Sequence, residues 1–229
     1  MKLGRFLTRS VQMVKDPVFF HAIHLDMPVE AVYRRLGYRR AHTQLGPGQQ
    51  REMEAVLEDA AGMIELKGSA LILSADMRRD GEIALETGDV LRSKGLARML
   101  SLSRWVLLMG ATAGNRIMDE IRSCSAGGNL ARAVVLDAAA SEMTDSALDW
   151  ISAWIGQQVR REGLEVTPKR FSAGYGDFDL ENQKVMYERL RLGEIGVSIT
   201  DACILLPEKS VTAVAGIRKV EREDGGKGQ

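Results

Sequence analysis

From Leu130 to about Glu162 the chain keeps a helical pattern and contains no proline. It reads as one long helix or as two joined near Ser141, and any fold must be arranged around it. Asp137, Ser141, Asp145, Asp149, Ser152 and Gly156 recur at steps of three and four and form one polar, small-residue stripe. Trp150, Ile151, Trp154, Ile155 and Val159 lie toward the other side. Such a helix has one face for a core and one for solvent or a ligand.

Around this segment the pattern changes in blocks. Asp26, Pro28 at a first helical position, EAVYRRL and Gly37 read as a short helix. GPGQQ punctuates, and REMEAVLEDAAGMI follows as a helix with Met53, Val56, Leu57, Ala60 and Ile64 near one face. GSALILSADM, the turn RRDG and EIALE form a hairpin. VLRSKGLARMLSL reads as helical despite Gly95, WVLLMGA as a buried strand, and TAGNRIMDEIRSC as a helix. Asp179 is positioned to cap LENQKVMYERLRLG, with Gly193 to close it. GVSIT, CILLP and SVTAVAGI are strand-like, with Glu208 and Lys209 in the turn between the last two. Blocks of this kind, without strict strand–helix alternation, predict an α+β fold: a mostly antiparallel sheet flanked by helices.

Length and charge narrow the function classes. With 229 residues and no linker or internal repeat, the chain reads as a single domain. Its apolar fraction of 45% suffices for a core. Lys plus Arg (31) balance Asp plus Glu (31), which argues against a broad nucleic-acid surface. The N-terminal segment is neither a secretory signal nor a membrane span, and no 18-residue apolar run occurs, so the expected location is cytoplasmic with no membrane partner. Cys124 and Cys203, without a CxxC, read as reduced, partly buried thiols. His21 and His24 form a lone HxxH lacking a third ligand, and no metal site is expected. GxGxxG, GxxxxGK[ST] and GxSxG are all absent, which leaves no candidate Rossmann site, P-loop or nucleophile elbow. No catalytic side chain stands out: the three histidines all precede residue 43, so any chemistry should not depend on histidine as acid or base.

RFSAGYGDFDLENQ, Arg170 to Gln183, is the candidate binding loop. Gly174 and Gly176 bracket Tyr175 and allow the backbone a left-handed turn close to a ligand. Ser172 and Ala173 leave the main chain uncovered, and Arg170 offers a donor fork suited to a carboxylate. Taken alone, the stretch also suits a plain strand-to-helix turn with a surface arginine.

R-x-x-x-G-Y, followed by a helix and then GVSITDACILLPEKSVTAVAGI, resembles the activation (reactivation) domain of cobalamin-dependent methionine synthase in its small stand-alone form. LGYRR at Leu36–Arg40, LLMGATAG at Leu107–Gly114, LDAAASEMTDSALDWI at Leu136–Ile151, RFSAGYGD and LPEKSVTA occur in the family's order. The resemblance covers about Val29 to Ile217. It implies an S-adenosylmethionine-binding activation domain at 29–218 after an N-terminal extension at 1–28, and the charged, Gly-rich composition of 219–229 predicts a frayed tail. Matched position by position, it implies ligand contacts at Asp145, Arg170, Ser172 (through its backbone), Gly174 and Tyr175. Asp145 stands where the family usually has glutamate, GDFD replaces the family's Cys-Pro-Asp-His segment, and nothing before Val29 matches a further acidic contact of the full-length enzymes.

On this resemblance Arg170 would pair with the ligand carboxylate. Asp145 would face the ammonium or the sulfonium, the backbone around Gly174 the adenine edge, and Tyr175 would supply a flat apolar face. The implied function is that of a reactivation subunit, a component of a methyltransferase system in methionine biosynthesis. It would support reductive methylation of cob(II)alamin, with the cobalamin held by a separate corrinoid-binding methyltransferase subunit. That subunit would belong to a split methionine synthase or to another corrinoid system such as a demethylase. A flavodoxin-like or ferredoxin-type electron donor would complete the system. The alternative is a non-catalytic module that senses S-adenosylmethionine and regulates a partner.

Overall fold

The computed structural model describes residues 16–39 and 45–220. Most of the 1–28 extension, Arg40 of LGYRR and nearly all of the charged tail lie outside the described residues. The elements, in order, are β1 (Val18–Phe20), α1 (Val29–Arg35), α2 (Pro47–Met63), β2 (Lys67–Met77), β3 (Glu82–Leu85), β4 (Val90–Arg92), α3 (Lys94–Met99), β5 (Trp105–Thr112), α4 (Asn115–Ala126), α5 (Leu130–Arg160), β6 (Leu164–Phe171), α6 (Asn182–Leu190), β7 (Ser198–Ile199), β8 (Leu205–Leu206) and β9 (Ser210–Lys219).

The main sheet runs β4-β3-β2-β5-β9-β6, with every neighbouring pair antiparallel. β7 and β8 make a separate hairpin. β2 is long enough to serve two partners on one edge: Gly68–Ala70 pair with β1, and Ala75–Met77 pair with β3. The expected α+β architecture is therefore present, and Val18–Phe20, ahead of the first expected helix, add a strand to it.

Both faces of the sheet are covered, which explains the unbroken apolar run of β5. Leu107, Met109 and Ala111 face α5, where they meet Met143, Ala147, Ile151 and Ile155. Val106 and Leu108 face the other way, against Leu96, Leu100, Phe178, Met186 and Leu190. Each such buried Leu, Ile, Val, Met or Phe side chain contributes ~1.5–3 kcal/mol. Gly68 lets α5 approach this closely, because a Cβ there would lie 2.5 Å from Ile151 Cδ1.

The proline-free segment is one helix. α5 spans 31 residues, so at ~1.5 Å rise per residue it is ~45 Å long. Its second half packs on the sheet. Its first half, with Val135, Leu136 and Ala139, packs on Met53, Val56 and Leu57 of α2, Ile117 and Ile121 of α4, and Val32 of α1. Asn129 caps it, its side chain accepting from the Arg132 amide. No described helix is long and apolar enough to cross a membrane.

Three local expectations differ from the structure. GPGQQ is not a break but the first turn of α2, with Pro47 in the helix and Gln49 Oε1 accepting from the Gly46 amide at 3.0 Å. VLR is strand β4, and the helix starts only after Ser93, whose Oγ caps the Leu96 amide at 2.8 Å. The stretch GLEVTPKR, for which the sequence pattern suggests no element, forms most of strand β6. Asp179 does not cap α6 with its side chain. Its carbonyl accepts from the amide and side chain of Asn182, and the helix ends at Arg191 in a left-handed conformation rather than at Gly193.

Candidate functional site

Arg170 lies near the end of β6, the last strand on its side of the sheet. Val166 pairs with Ile217 and Arg170 with Ala215, so four residues of β6 advance while two of β9 do. Pro168 sits in this irregularity and has no amide hydrogen to offer the ladder. Thr167 mends the gap, since its Oγ1 accepts from the buried Gly216 amide at 2.9 Å. The surplus is an even number, so the side-chain alternation survives and Arg170 still faces α5. Phe171 points to the opposite face, its ring 6.4 Å from that of Phe178.

On the α5 side Arg170 meets the polar stripe. Its Nη1 pairs with Asp149. Its Nη2 lies 3.8 Å from Asp145 Oδ1 and donates to the Asp145 main-chain carbonyl at 3.5 Å. A second arginine closes the row from the other side: Arg35 of α1 reaches Glu142 at 2.5 Å and Asp145 at 3.5 Å. Asp145 therefore sits between two guanidinium groups while its side chain stays half exposed. Burial pushes its carboxyl above the ordinary value, and Arg170 and Arg35 pull it back only in part.

Lower on the same stripe, Lys209 pairs with Asp137 at 2.8 Å and donates to Ser141 Oγ at 2.9 Å. This ties the turn before β9 to α5.

The loop after β6 is a tight turn. Gly174 has φ +88° and its amide donates to the Phe178 carbonyl at 2.7 Å. The Phe178 amide donates to the Tyr175 carbonyl at 3.0 Å, and the Tyr175 amide to that of Ser172 at 3.2 Å. Tyr175 is thrust outward, 72% exposed. A side chain that large and apolar in solvent is available to a flat ligand or a partner.

Of the five residues expected at the site, the structure brings Arg170 and Asp145 into contact and strings Ser172, Gly174 and Tyr175 along the turn that leaves Arg170. Asp149, Arg35 and Glu142 were not expected there. Asp149 is on the stripe, but only the register of β6 against β9 reveals its pairing with Arg170. A separate cleft of about 710 Å³ beside Tyr33 and Tyr38 of the α1 region contains none of the five. Among the described residues no cluster of histidine, cysteine, aspartate and glutamate is arranged to hold a metal ion.

No family profile and no curated protein matches the chain by sequence. A solved structure does match in three dimensions. The crystal structure of the MetH reactivation domain bound to AdoHcy aligns at a TM-score of 0.55, covering 83% of this chain and 72% of that chain at 13% identity. The likeness is one of topology, and by it the chain has the fold of the MetH reactivation domain.

Proposed function

We propose that the chain binds S-adenosylmethionine and acts as a reactivation subunit, supporting reductive methylation of cob(II)alamin on a separate corrinoid protein. The observation that carries this reading is the Arg170–Asp145 contact, set on α5 at the root of a glycine turn. It occurs in the fold of a domain solved with AdoHcy, the demethylated form of that ligand. Fold alone does not specify function; the site argument is electrostatic.

The residues present fit such a ligand. Arg35 and Arg170 face Glu142, Asp145 and Asp149, so two cations meet three carboxylates and the ionised cluster carries a net negative charge. S-adenosylmethionine has a carboxylate, an ammonium and a sulfonium, with a net positive charge. Arg170 provides a fork for the carboxylate once it turns from Asp149. The α5 carboxylates suit the cationic end, and Tyr175 and the turn's main chain suit the adenine.

In this reading S-adenosylmethionine supplies an activated methyl group, and an electron from a flavodoxin-like or ferredoxin-type donor completes the balance. The chain's own residues bind and orient. The corrinoid partner belongs to a split methionine synthase or to another corrinoid methyltransferase.

The test is calorimetric titration of the whole chain with S-adenosylmethionine, beside Arg170→Ala. Saturable binding lost in the variant supports the site, and absence of binding to the folded wild type sinks it. A second assay adds the chain, reductant and S-adenosylmethionine to a corrinoid protein poised as cob(II)alamin. Methylcobalamin formation that depends on the chain supports a reactivation subunit, whereas binding without methylation identifies a sensing module.

A further inference from the structure

Asp177 does not touch the Arg170 cluster, yet among the described carboxylates it accepts an unusual set of hydrogen bonds. Its Oδ1 accepts from Ser93 Oγ at 2.6 Å and from the Gly95 amide at 3.2 Å. Its Oδ2 accepts from the Lys94 amide at 2.7 Å and again from Gly95 at 3.1 Å. Ser93 Oγ meanwhile accepts from the Leu96 amide at 2.8 Å. The two side chains together satisfy the three leading amides of α3, which the helix itself leaves without partners. One of the two comes from a loop more than eighty positions away.

A second observation comes from α3. Gly95 has no positive φ that would demand glycine, and it is a poor helix former. A Cβ at Gly95 would lie 2.8 Å from Asp177 Oδ1 and 3.2 Å from the Phe171 ring. The missing side chain is what lets both ends of the loop press on α3. At the far end Phe178 is fully buried in the core. Tyr175 thus projects from a turn held at three feet: Phe171, Asp177 and Phe178.

We infer that Asp177 is a positioning residue for the candidate ligand loop, clamping the turn that presents Gly174 and Tyr175 onto the first turn of α3, with Gly95 as its seat. The functional half of this inference rests on the proposed S-adenosylmethionine site; the clamp itself does not. The lowered pKa of Asp177, held down first by the Ser93 hydroxyl and then by the Gly95 amide, agrees with a carboxylate kept ionised in its seat.

The experiment compares the whole chain with Asp177→Ala and Gly95→Ala, using Glu120→Gln as a control in the distant Arg132 pair. Amide hydrogen exchange is read across 172–178, and S-adenosylmethionine affinity is read by titration. Asp177→Ala is expected to speed exchange of the Gly174 and Phe178 amides roughly five- to ten-fold, the scale of a lost helix cap, and to weaken binding by a similar factor. Gly95→Ala keeps the carboxylate and crowds it, together with the Phe171 ring. Helix propensity favours alanine there, so faster loop exchange in that variant identifies the seat rather than general instability. If Asp177→Ala does not fold, Gly95→Ala carries both readouts.

Unchanged exchange in the folded variants, or exchange equally raised in the control, overturns the clamp. A looser turn with unchanged affinity, in a chain whose wild type binds, overturns the positioning role. If the wild type does not bind S-adenosylmethionine, the proposed function fails, and the exchange data alone decide the clamp.

Discussion

Arg170 Nη2 stands 3.8 Å from Asp145 Oδ1 and 3.5 Å from the main-chain oxygen of the same residue, joining the edge strand of the sheet to the long helix. The same guanidinium also holds Asp149. Such divided attachment depends on a planar fork, which lysine lacks. Arg170→Lys is expected to keep the fold, by circular dichroism, and to weaken S-adenosylmethionine binding by ~1 kcal/mol. Arg170→Ala should lose ~1.5–3 kcal/mol. Equal affinity in the lysine variant and the wild type would show that only charge matters at this position.

Asp145 is expected to carry a stability penalty for its role. Its folded pKa lies above the unfolded 3.8, with burial the leading cause. The ionised form is therefore disfavoured by folding. The group's contribution is fully favourable below the unfolded value and is lost as pH rises through the folded one. Asp145→Asn should consequently be no less stable than wild type at neutral pH, because Arg35 keeps Glu142 and Arg170 keeps Asp149. The two proteins should converge in acid, while ligand affinity falls in the variant. Thermal unfolding over a pH series checks this; a wild-type advantage at neutral pH would contradict it.

Asp89 behaves in the opposite way. Burial works upward on it, but hydrogen bonds from Arg189 and Thr87 outweigh that and hold its pKa below the ordinary value. Arg189 Nη2 donates to it at 3.0 Å, fixing α6 to the turn before β4. Its stabilising contribution is present above the unfolded pKa and disappears as pH drops through the folded one. Asp89→Asn should cost ~1–2 kcal/mol at neutral pH, on the scale of a hydrogen bond to a charged group. Denaturant unfolding should show that difference shrinking in strong acid.

Thr167→Val tests the irregular stretch of β6. The substitution keeps shape and removes the oxygen that accepts from the Gly216 amide. A buried amide left without a partner should cost ~1–3 kcal/mol. Faster hydrogen exchange at Gly216, seen by NMR, should accompany the loss. An unaffected amide would mean that the ladder closes without threonine.

The parts of the fold written in periodicity were legible. The β2–β3 hairpin, β5, α4 and the helical character of α5 follow from alternation, turn residues and the lack of proline; that α5 is one helix and not two joined near Ser141 comes from the structure. β6 was not, because Pro168 and the extra residues disguise its pairing with β9. β4 was absorbed into a helix because Ser93 sits inside a helix-favouring run; the Ser93 cap and the tertiary seat of Asp177 together set where α3 begins. Loop chemistry singled out Arg170, Gly174 and Tyr175. The pairing of Arg170 with Asp149, and the arrival of Arg35 beside Asp145, depend on how the sheet edge and α1 are set against α5, which no local pattern encodes.

The irregularity in β6 also bears on how the molecule lives among its own copies. β6 is a terminal strand of the sheet, and a flat terminal strand invites a neighbour's strand to dock and start an aggregate. The surplus residues buckle the rim, so a second chain finds no regular row of amides to match. One local distortion leaves Arg170 facing the helix and blunts the strand that carries it against pairing with a copy of itself.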